Sequence, residues 1–590
     1  MPTLSEYLAR SKKIERTKHS KHQKGNNKSL KIALLSSSTI QALKEVLSVK
    51  CHDAFIKADV YLSGYNQYVQ EILNKKSGIY KFNPDIVFLF IDTISLLGNA
   101  YFRPYKDSSM WGKKWVNDKK EEIIALLDTL SKKLSGRIVV HNFEVPTFSP
   151  LGIAETREES GFIESIRGLN VALQDFYKNS QQIFVFDYEL FCSYIGKDRM
   201  RDDKMYYIAD YKINPQYIPA LSEGYMAYIK PTASIIKKCL VLDLDNTLWG
   251  GIIGEDGLAG IKLGPTPEGR PFWEFQNYIL SLRDRGIILA INSRNNPRDA
   301  LEVFQKHPSM ILKEEHFASV KINWNDKVDN MRSIANELGI GLSSMVFIDD
   351  DPSNREIIKR SLPEVLVVDL PSDPSLYLKA VKEINDFNVL QITREDLKKG
   401  EMYLDQKKRK ELLSSSSTLE DYFKKLETVV VVQKANIPNI PRIAQLTQKT
   451  NQFNLTTKRY TEKEISNMVD KGYLVVSVSV KDKFGDNGIV GVVIVERKNN
   501  IWRIDTLLLS CRLIGRGVEK VLLGYVLNLA KKEDADIVVG VYIPTEKNMM
   551  TKDFYKQNNF CEKKVKGEIV WEHNLQDKYV YPDFLTVEEK

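Results

Sequence analysis

Residues 238–249, Lys238-Cys-Leu-Val-Leu-Asp-Leu-Asp-Asn-Thr-Leu-Trp249, decide the fold of the middle of this 590-residue chain. An apolar run that begins after a lysine and ends in carboxylates is typical of a buried parallel strand. Asp243 and Asp245 are two residues apart, so both project from the same side as the strand ends. Two such carboxylates repel each other unless a cation lies between them, and Mg²⁺ is a hard cation that prefers oxygen ligands. The stretch therefore predicts a metal site at the carboxyl edge of a parallel sheet.

Further polar groups follow later strands of the same predicted sheet. Ser293 and Arg294 end the next strand, where a hydroxyl and backbone N–H groups can hold phosphoryl oxygens. Lys327 opens a helix after Trp-Asn-Asp and places an ammonium where it offsets phosphate charge. Asp349 and Asp350 follow a third apolar strand and form a second acidic cluster. We expect all of these groups at one edge of the sheet.

The order Asp-x-Asp, Ser, Lys, Asp-Asp on successive βα units resembles the haloacid dehalogenase (HAD) superfamily. The resemblance implies that Asp243 is a nucleophile that forms an aspartyl-phosphate and that Asp245 is the general acid/base. It also implies that Ser293 binds the phosphoryl group and that Lys327 stabilises charge. The implied Mg²⁺ ligands are Asp243, Asp245, Asp349 and Asp350. A glycosyltransferase Asp-x-Asp metal motif, or acidic loop ends in solvent, would each explain one cluster, but four elements in this order disfavour both.

Longer stretches resemble the FkbH-like family from about Leu30 to Phe560. They are Leu242–Gly251, Gly254–Gly257, Phe317–Lys327, Ile443–Leu455, Phe484–Gly488 and Leu508–Gly517. The resemblance implies a glyceryltransferase/phosphatase that takes a three-carbon unit from bisphosphoglycerate and removes its phosphate. The unit is then loaded as a thioester on the phosphopantetheine arm of an acyl carrier protein, for polyketide and related pathways. Arg294 stands where relatives often have Lys, and Asp351 where Asn is usual.

The stretch from Arg512 through Gly515 to Gly517 lies between a predicted strand and a predicted helix. It resembles the pyrophosphate loop of GNAT-type acyltransferases, in which glycines let the backbone approach an anion at a helix N-terminus. Here the loop would meet the phosphate of the pantetheine arm. The same resemblance implies that Tyr555 is a general acid. Taken alone, a glycine-rich turn of this kind is as often structural as functional.

Cys511 stands beside this loop, and we hypothesise that it carries the glyceryl group as a thioester. Arg512 and the following helix N-terminus would favour its thiolate. A buried core cysteine is the alternative, since that is the commonest environment of a lone cysteine. Cys239, inside a predicted buried strand, is a weaker candidate for the same role.

The first 200 or so residues also alternate short apolar strands with helical stretches and loosely resemble the SGNH-hydrolase fold. Ser36–Ser38 follow the first strand, where that fold has its nucleophile. His141 and Asn142 follow a later strand, where it has an oxyanion Asn. The Gly-Asp-Ser of the family and a closing Asp-x-x-His are missing, so no triad can be assembled. We predict a degenerate docking or structural domain.

Composition limits the classes of function. The net charge of +8 is small for this length and its lysines are dispersed, which disfavours a nucleic-acid binder. No apolar run reaches the roughly 20 residues of a membrane span, and the N-terminus does not resemble a secretory signal. Five single cysteines without a CxxC favour a reducing, cytoplasmic environment without disulfides or structural zinc.

We therefore predict an α/β multidomain protein. Its parts are a basic flexible tail (1–29), an SGNH-like α/β domain (30–235), a HAD-type Rossmannoid domain (236–385), a helical linker (386–426) and a GNAT-like α+β domain (427–590). Two other functions stay open. A stand-alone Mg²⁺-dependent phosphatase of a small metabolite would not need Cys511, and a non-catalytic scaffold that binds carrier proteins would not need the aspartates.

Overall fold

The computed structural model describes residues 2–17, 28–106, 111–397, 405, 408–409, 411–498, 500–565, 568–575 and 578–590. The chain forms two compact units, Met1–Ile235 and Ile236–Lys590. All five cysteines are free thiols, as the sequence predicts. In the part of the chain that the structure describes, no helix combines the length and apolar character needed to cross a membrane.

The first unit is built on a five-stranded sheet in which every pair of neighbouring strands is parallel. Its strands are β1 (Lys28–Ser36), β2 (Ile56–Leu62), β3 (Ile86–Phe90), β4 (Arg137–His141) and β5 (Ile183–Phe186), in the order β2-β1-β3-β4-β5. Its α-helices are Leu4–Thr17, Gln41–Asp53, Tyr68–Leu73, Gly78–Phe82, Thr93–Leu97, Asn99–Phe102, Lys113–Lys133, Phe162–Tyr177, Tyr188–Ile195, Lys197–Met200, Asp203–Ala209 and Ile218–Thr232. Apolar clusters fill both faces of the sheet, as expected of a sheet with helices on either side.

The predicted flexible tail is wrong for residues 4–17, which form a helix. Tyr7 on this helix is only 5% exposed, and Leu4 and Ile14 pack against the same apolar cluster. Burial of this apolar face stabilises the helix, although its other residues are mostly charged. The rest of the predicted tail, residues 18–27, lies outside the described residues.

The second unit begins with another five-stranded parallel sheet, in the order β10-β9-β6-β7-β8. Its strands are β6 (Cys239–Leu242), β7 (Ile288–Ser293), β8 (Phe317–Ile322), β9 (Met345–Ile348) and β10 (Leu366–Val367). The α-helices of this part are Ile253–Gly260, Arg270–Asp284, Pro297–Lys306, Lys327–Leu338, Pro352–Ser361 and Tyr377–Lys382. β6 lies at the centre, and all four of its residues are buried, which explains why it reads as a continuous apolar run.

The C-terminal part of the second unit contains a mixed sheet in the order β17-β18-β16-β15-β14-β13-β11-β19, with β12 paired to β15. The strands are β11 (Thr428–Lys434), β12 (Phe453–Asn454), β13 (Leu474–Asp482), β14 (Gly485–Lys498), β15 (Ile501–Leu509), β16 (Ile537–Val541), β17 (Cys561–Val565), β18 (Glu568–Asn574) and β19 (Leu585–Glu589). Its α-helices are Ile440–Lys449, Glu462–Asp470, Val518–Lys532 and Phe554–Gln557. The predicted α+β character is confirmed, and with it the α/β multidomain class.

Two short helices, Arg394–Leu397 and Leu419–Leu426, lie in the predicted linker. Residues 398–404, 406–407 and 410 of that stretch lie outside the described part of the chain. Asp396 connects the two sheets of the second unit. Its carboxylate accepts a hydrogen bond from Gln445 Nε2 at 2.7 Å, and its backbone oxygen lies against Gly286 at the amino end of β7. The mixed sheet's helix Ile440–Lys449 therefore lies on the amino-end side of the parallel sheet.

Candidate active site

Asp243 follows β6 directly and is held at the carboxyl edge of the parallel sheet. Its backbone N–H donates to the oxygen of Ile348 at 3.0 Å, which continues the pairing of β6 with β9. The side chain is 7% exposed. Burial raises the pKa of Asp243 to about 7; the Lys327 ammonium opposes this rise, and the Asp349 carboxylate adds to it. A buried carboxylate whose pKa is raised in this way suits a nucleophile more than a structural group.

Lys327 lies between two carboxylates. Asp326 caps the helix Lys327–Leu338 by accepting from Val328 N, which places Lys327 in the first turn. Its Nζ lies 3.0 Å from Asp243 Oδ1 and 2.5 Å from Asp349 Oδ2. Burial favours the neutral amine, but the two carboxylates outweigh it and raise the pKa of Lys327. The predicted ammonium is therefore present and charged.

Asp243, Asp349 and Asp350 form a group whose ligand oxygens lie within 4.8 Å of one another. Burial and the neighbouring Asp349 raise the pKa of Asp350 to about 6. Three acidic groups around a single ammonium leave excess negative charge in a poorly solvated place. Carboxylate oxygens are the ligands that Mg²⁺ prefers, and a divalent cation would offset this excess. The residues present therefore fit the predicted Mg²⁺.

The carboxylate of Asp245 lies outside the group formed by Asp243, Asp349 and Asp350, and the predicted role of Asp245 as a metal ligand stays a prediction. Its Oδ1 accepts from Trp249 Nε1 at 2.9 Å and from Ile253 N at 3.1 Å, and its Oδ2 accepts from Asn295 Nδ2 at 2.8 Å. Burial raises the pKa of Asp245, while these three hydrogen bonds oppose the rise. The fixed carboxyl group remains suited to exchanging a proton beside Asp243.

The two predicted phosphoryl-binding residues differ in their environments. Ser293 ends β7, is 1% exposed, and its hydroxyl lowers the pKa of Asp243, so it lies at the nucleophile. Arg294 is an exposed side chain whose Nη2 lies 3.6 Å from Asp326 Oδ2. It stands at the rim, where it can contact a substrate, and among the described residues it pairs with Asp326 rather than with the buried carboxylates.

Several residues that the sequence analysis did not single out shape the site. Thr247 Oγ1 accepts from Asp350 N at 3.2 Å and links the loop after β6 to the loop after β9. Arg355 Nη1 donates to the backbone oxygens of Asp349 and Asp350, at 2.8 and 2.6 Å. Thr247 stands within the quoted stretch, but a hydroxyl alone gave no signal. The arginine contacts backbone atoms, which no side-chain pattern reveals.

The predicted acyl site is only partly assembled. Cys511 is exposed and opens a short 3₁₀ turn, Cys511–Leu513, so the alternative of a core cysteine is wrong. Gly515 and Gly517 both have φ of +79°, a backbone conformation that favours glycine, and Gly517 is the N-cap of the helix Val518–Lys532. The Arg512 Nε lies 3.5 Å from Ser510 Oγ. These features keep the loop compatible with an anion.

Tyr555 and Cys239 do not fit their predicted chemistry. Tyr555 is 1% exposed, its ring packs against Phe554 and Phe560, and burial raises its pKa, so it is poorly placed to act as a general acid. Cys239 is 0% exposed in β6, and burial raises its pKa as well. Both side chains are core residues, which leaves Cys511 as the better candidate of the two cysteines.

Cys511 lies on the amino-end side of the parallel sheet, away from Asp243. Burial lowers the pKa of Lys238, just before β6, and Cys511 lies close enough to oppose this shift. Five residues of extended chain separate Lys238 from Asp243, which is about 17 Å at ~3.3 Å per residue. The two predicted reaction centres are therefore at opposite edges of one sheet.

The candidate residues of the first unit do not form a triad. Ser37 Oγ donates to Asp92 at 2.6 Å, and the Ser36 and Ser38 hydroxyls contact each other. His141 is enclosed in the core, where its Nε2 lies 2.7 Å from the Tyr225 hydroxyl and burial lowers its pKa to about 3. Asn142 Nδ2 donates to Asp187 at 2.8 Å. The SGNH-like assignment stays a prediction.

Two parts of the chain are similar in sequence to known protein families. The family described as FkbH, N-terminal domain, matches residues 31–230. A HAD-like hydrolase superfamily protein of Schizosaccharomyces pombe is 30% identical over 136 residues, covering 20% of this chain and 79% of that protein. The chain belongs to the HAD-like hydrolase superfamily. The predicted resemblance to the HAD superfamily and to the FkbH-like family is confirmed.

Solved structures also resemble parts of the chain. The N-terminal part of a Bacteroides fragilis protein, which contains a phosphatase domain complexed with Mg, is 29% identical, with a TM-score of 0.59. The match covers 66% of this chain and 100% of that one. A GNAT-family acetyltransferase of Staphylococcus aureus is 17% identical and covers 25% of this HAD-like chain and 99% of its own, with a TM-score of 0.21.

Proposed function

We propose that the protein is a Mg²⁺-dependent phosphatase coupled to an acyltransferase that loads a three-carbon unit onto an acyl carrier protein. The observation that carries the phosphatase part is the Lys327 ammonium held between Asp243 and Asp349, with Asp350 completing an acidic group. The Mg-bound phosphatase domain of the Bacteroides fragilis relative supports the same reading.

The residues of the chain have separate tasks in this reaction. An Asp243 oxygen attacks phosphorus, and the leaving alcohol oxygen takes a proton from Asp245. Water then attacks the aspartyl-phosphate, giving its proton to Asp245 and releasing phosphate. Lys327 and Ser293 stabilise the negative charge of the phosphoryl oxygens. Asp243, Asp349 and Asp350 would hold Mg²⁺, which supplies further charge stabilisation when bound.

The acyl-loading part rests on Cys511 and its loop. In our proposal Cys511 Sγ attacks the carbonyl carbon of the acyl phosphate of bisphosphoglycerate. The bond to phosphate breaks, and the three-carbon unit stays on Cys511 as a thioester. The thiol of a phosphopantetheine arm then attacks the same carbonyl, and Cys511 leaves as its thiolate. The glycine-rich turn at the N-terminus of the helix Val518–Lys532 supports an anionic group of that arm, which would have to approach beside the Glu519 carboxyl group of the first turn.

The phosphatase part is tested by phosphate release from a generic monoester such as p-nitrophenyl phosphate. Asp243→Asn should lower the rate by at least ~10³-fold, because the nucleophile is lost. EDTA should abolish activity, and added Mg²⁺ should restore it. Asp351→Asn is the matched control and should keep activity, since an Asn side chain can also cap the helix at Ser353 N and the backbone N–H that donates to Asp349 Oδ1 is unchanged. Equal activity of Asp243→Asn and wild type would refute the assignment.

The acyl part is tested by intact-mass spectrometry after incubation with bisphosphoglycerate. A three-carbon adduct should form on wild type and on Cys561→Ala, in which the other exposed cysteine is removed. It should be absent from Cys511→Ala. An adduct that survives in Cys511→Ala would place the thioester elsewhere. Phosphatase activity with no adduct on any variant would favour the stand-alone phosphatase.

A further inference from the structure

The first unit contains a cavity that its predicted role as a docking or structural domain does not explain. Its volume is about 380 Å³, within the ~300–1,000 Å³ range of small-molecule sites. Residues directly after β3 and β4, among them Asp92 and Glu144, form one wall, and residues between 197 and 212 form another. The cavity therefore opens at the carboxyl edge of a parallel sheet, where ligands bind in open α/β folds.

Glu144 is an unusual group in this wall. The structure gives its carboxylate no hydrogen-bond or ion-pair partner among the described residues, while its backbone oxygen accepts from Thr93 Oγ1 at 2.8 Å. Burial raises the pKa of Glu144 to about 7, and Lys197 opposes this shift. A half-buried carboxyl group without a partner leaves hydrogen-bonding capacity that a hydroxyl group can satisfy.

Arg201 offers complementary capacity on the opposite wall. Its guanidinium stacks on Tyr206, 4.1 Å from the ring centroid, and its Nε lies 2.8 Å from Asp203 Oδ1. Among the described residues, no acceptor lies within hydrogen-bond distance of its two terminal nitrogens. Stacking fixes the plane of the guanidinium, so these nitrogens present a two-pronged donor of the kind that binds a carboxylate or phosphate.

The other charged groups of the cavity are mostly used within the protein. Lys197 contacts Glu189 and donates to Val145 O at 2.8 Å, and Lys212 donates to Asp210 at 2.6 Å. Asp92 accepts from two serine hydroxyls and one backbone N–H. The terminal nitrogens of Arg201 are therefore the donors that remain for one oxyanion. The acidic residues of the cavity disfavour a ligand with several negative charges.

We propose that this cavity binds a small hydroxylated oxyanion of about the size of a sugar acid or sugar phosphate. Its carboxylate or phosphate would bind Arg201, a hydroxyl would bind Glu144, and an apolar face would lie against the half-buried ring of Tyr101. A phenol ring supplies flat apolar surface with a polar edge, which suits a polyhydroxylated ring. The site is independent of the proposed activity of residues 236–590.

Calorimetric titration of the full chain, in EDTA to suppress phosphoryl transfer, tests the proposal. The probes are glucuronate, glucose 6-phosphate and glucose, which share a ring and differ in the oxyanion. Saturable binding of glucuronate would identify a carboxylate ligand, and binding of glucose 6-phosphate a phosphate ligand. In either case glucose should bind at least ~10-fold more weakly, because it lacks a partner for the guanidinium.

Arg201→Gln should weaken binding of the preferred probe by ~10-fold or more, since a charge-assisted pair is lost. Arg199→Gln is the matched control; Arg199 is exposed, does not line the cavity, and should leave binding unchanged. If Arg201→Gln does not fold, as judged by circular dichroism, Glu144→Ala serves as the second variant with the same expectation. No binding of any probe up to about 10 mM, or binding that neither variant weakens, would overturn the assignment.

Discussion

Lys327 supplies the positive charge in a pocket of carboxylates, and its replacement should be costly for two reasons. Lys327→Met leaves Asp243 and Asp349 close together in a buried place without their ammonium. We expect phosphatase activity to fall by at least ~10²-fold, because charge stabilisation is lost. Removing one partner of a buried ion pair also costs roughly 3–5 kcal/mol of stability, and this loss should be larger in EDTA than in Mg²⁺.

Lys321→Met is the control for this prediction. Lys321 also pairs with a carboxylate, Glu337 at 2.9 Å, but its side chain is 26% exposed compared with 4% for Lys327. A pair of that kind contributes less than about 1 kcal/mol. The measurements are the rate of monoester hydrolysis and the thermal midpoint of both variants. Similar losses in the two variants would contradict the role assigned to Lys327.

The sequence predicts single residues well where they follow strands. Asp243, Lys327, Asp349 and Asp350 come together because parallel strands end at one edge, so chain order is enough to place them. The direction of the Asp245 side chain depends on Trp249 and Asn295, which lie in loops whose paths no periodicity specifies. Tyr555 shows the same limit, because its position in the core depends on neighbours that are distant in sequence.

At the level of elements, Gly286 determines how closely the segment at Asp396 can approach the start of β7. A Cβ at this position would lie 1.9 Å from the Asp396 backbone oxygen, and the residue has φ of +98°. Gly286→Ala should therefore displace Asp396 and weaken its hydrogen bond from Gln445. We expect faster hydrogen exchange in the helix Ile440–Lys449, with a loss of roughly 1–3 kcal/mol in local stability.

Gly339→Ala is the matched control, because this glycine also has positive φ, +63°, but a Cβ there would meet nothing within 4 Å. It should cost about 1 kcal/mol and leave exchange in Ile440–Lys449 unchanged. Equal exchange in that helix for the two variants would show that the contact with Asp396 does not position it. Hydrogen exchange resolved by mass spectrometry distinguishes the outcomes.

Elements with a strong apolar pattern were predictable, and those held by distant partners were not. β4, β6, β9 and β16 are of the predictable kind, because each is a short apolar run that pairs with a neighbouring strand on both sides. β12 is only two residues long and exists because Phe453 and Asn454 pair with β15. β19 pairs with β11, more than 150 residues earlier, and its short sequence, which ends in two glutamates, did not predict this pairing.

At the scale of the whole second unit, the separation of Cys511 from Asp243 bears on the order of the reaction. A three-carbon unit held on Cys511 extends only a few ångströms, whereas about 17 Å of strand separates the two edges of the sheet. A flexible phosphopantetheine arm is longer and can leave one edge for the other. In the proposed function, phosphate removal therefore follows transfer to the arm and does not take place on Cys511.

If phosphate is removed only after transfer to the arm, the masses of the adducts on Cys511 and on the carrier protein can be predicted. Without a carrier protein, the adduct on wild-type Cys511 should keep its phosphate and have the same mass as the adduct on Asp243→Asn. With a carrier protein bearing its arm, wild type should give a dephosphorylated three-carbon thioester on the carrier, and Asp243→Asn should give the phosphorylated one. A dephosphorylated adduct on wild-type Cys511, alongside a phosphorylated one on Asp243→Asn, would contradict the order. That result would require Cys511 to come close to Asp243 at the carboxyl edge of the parallel sheet. The mixed sheet, which contains the Cys511 loop, would then have to lie in a different position.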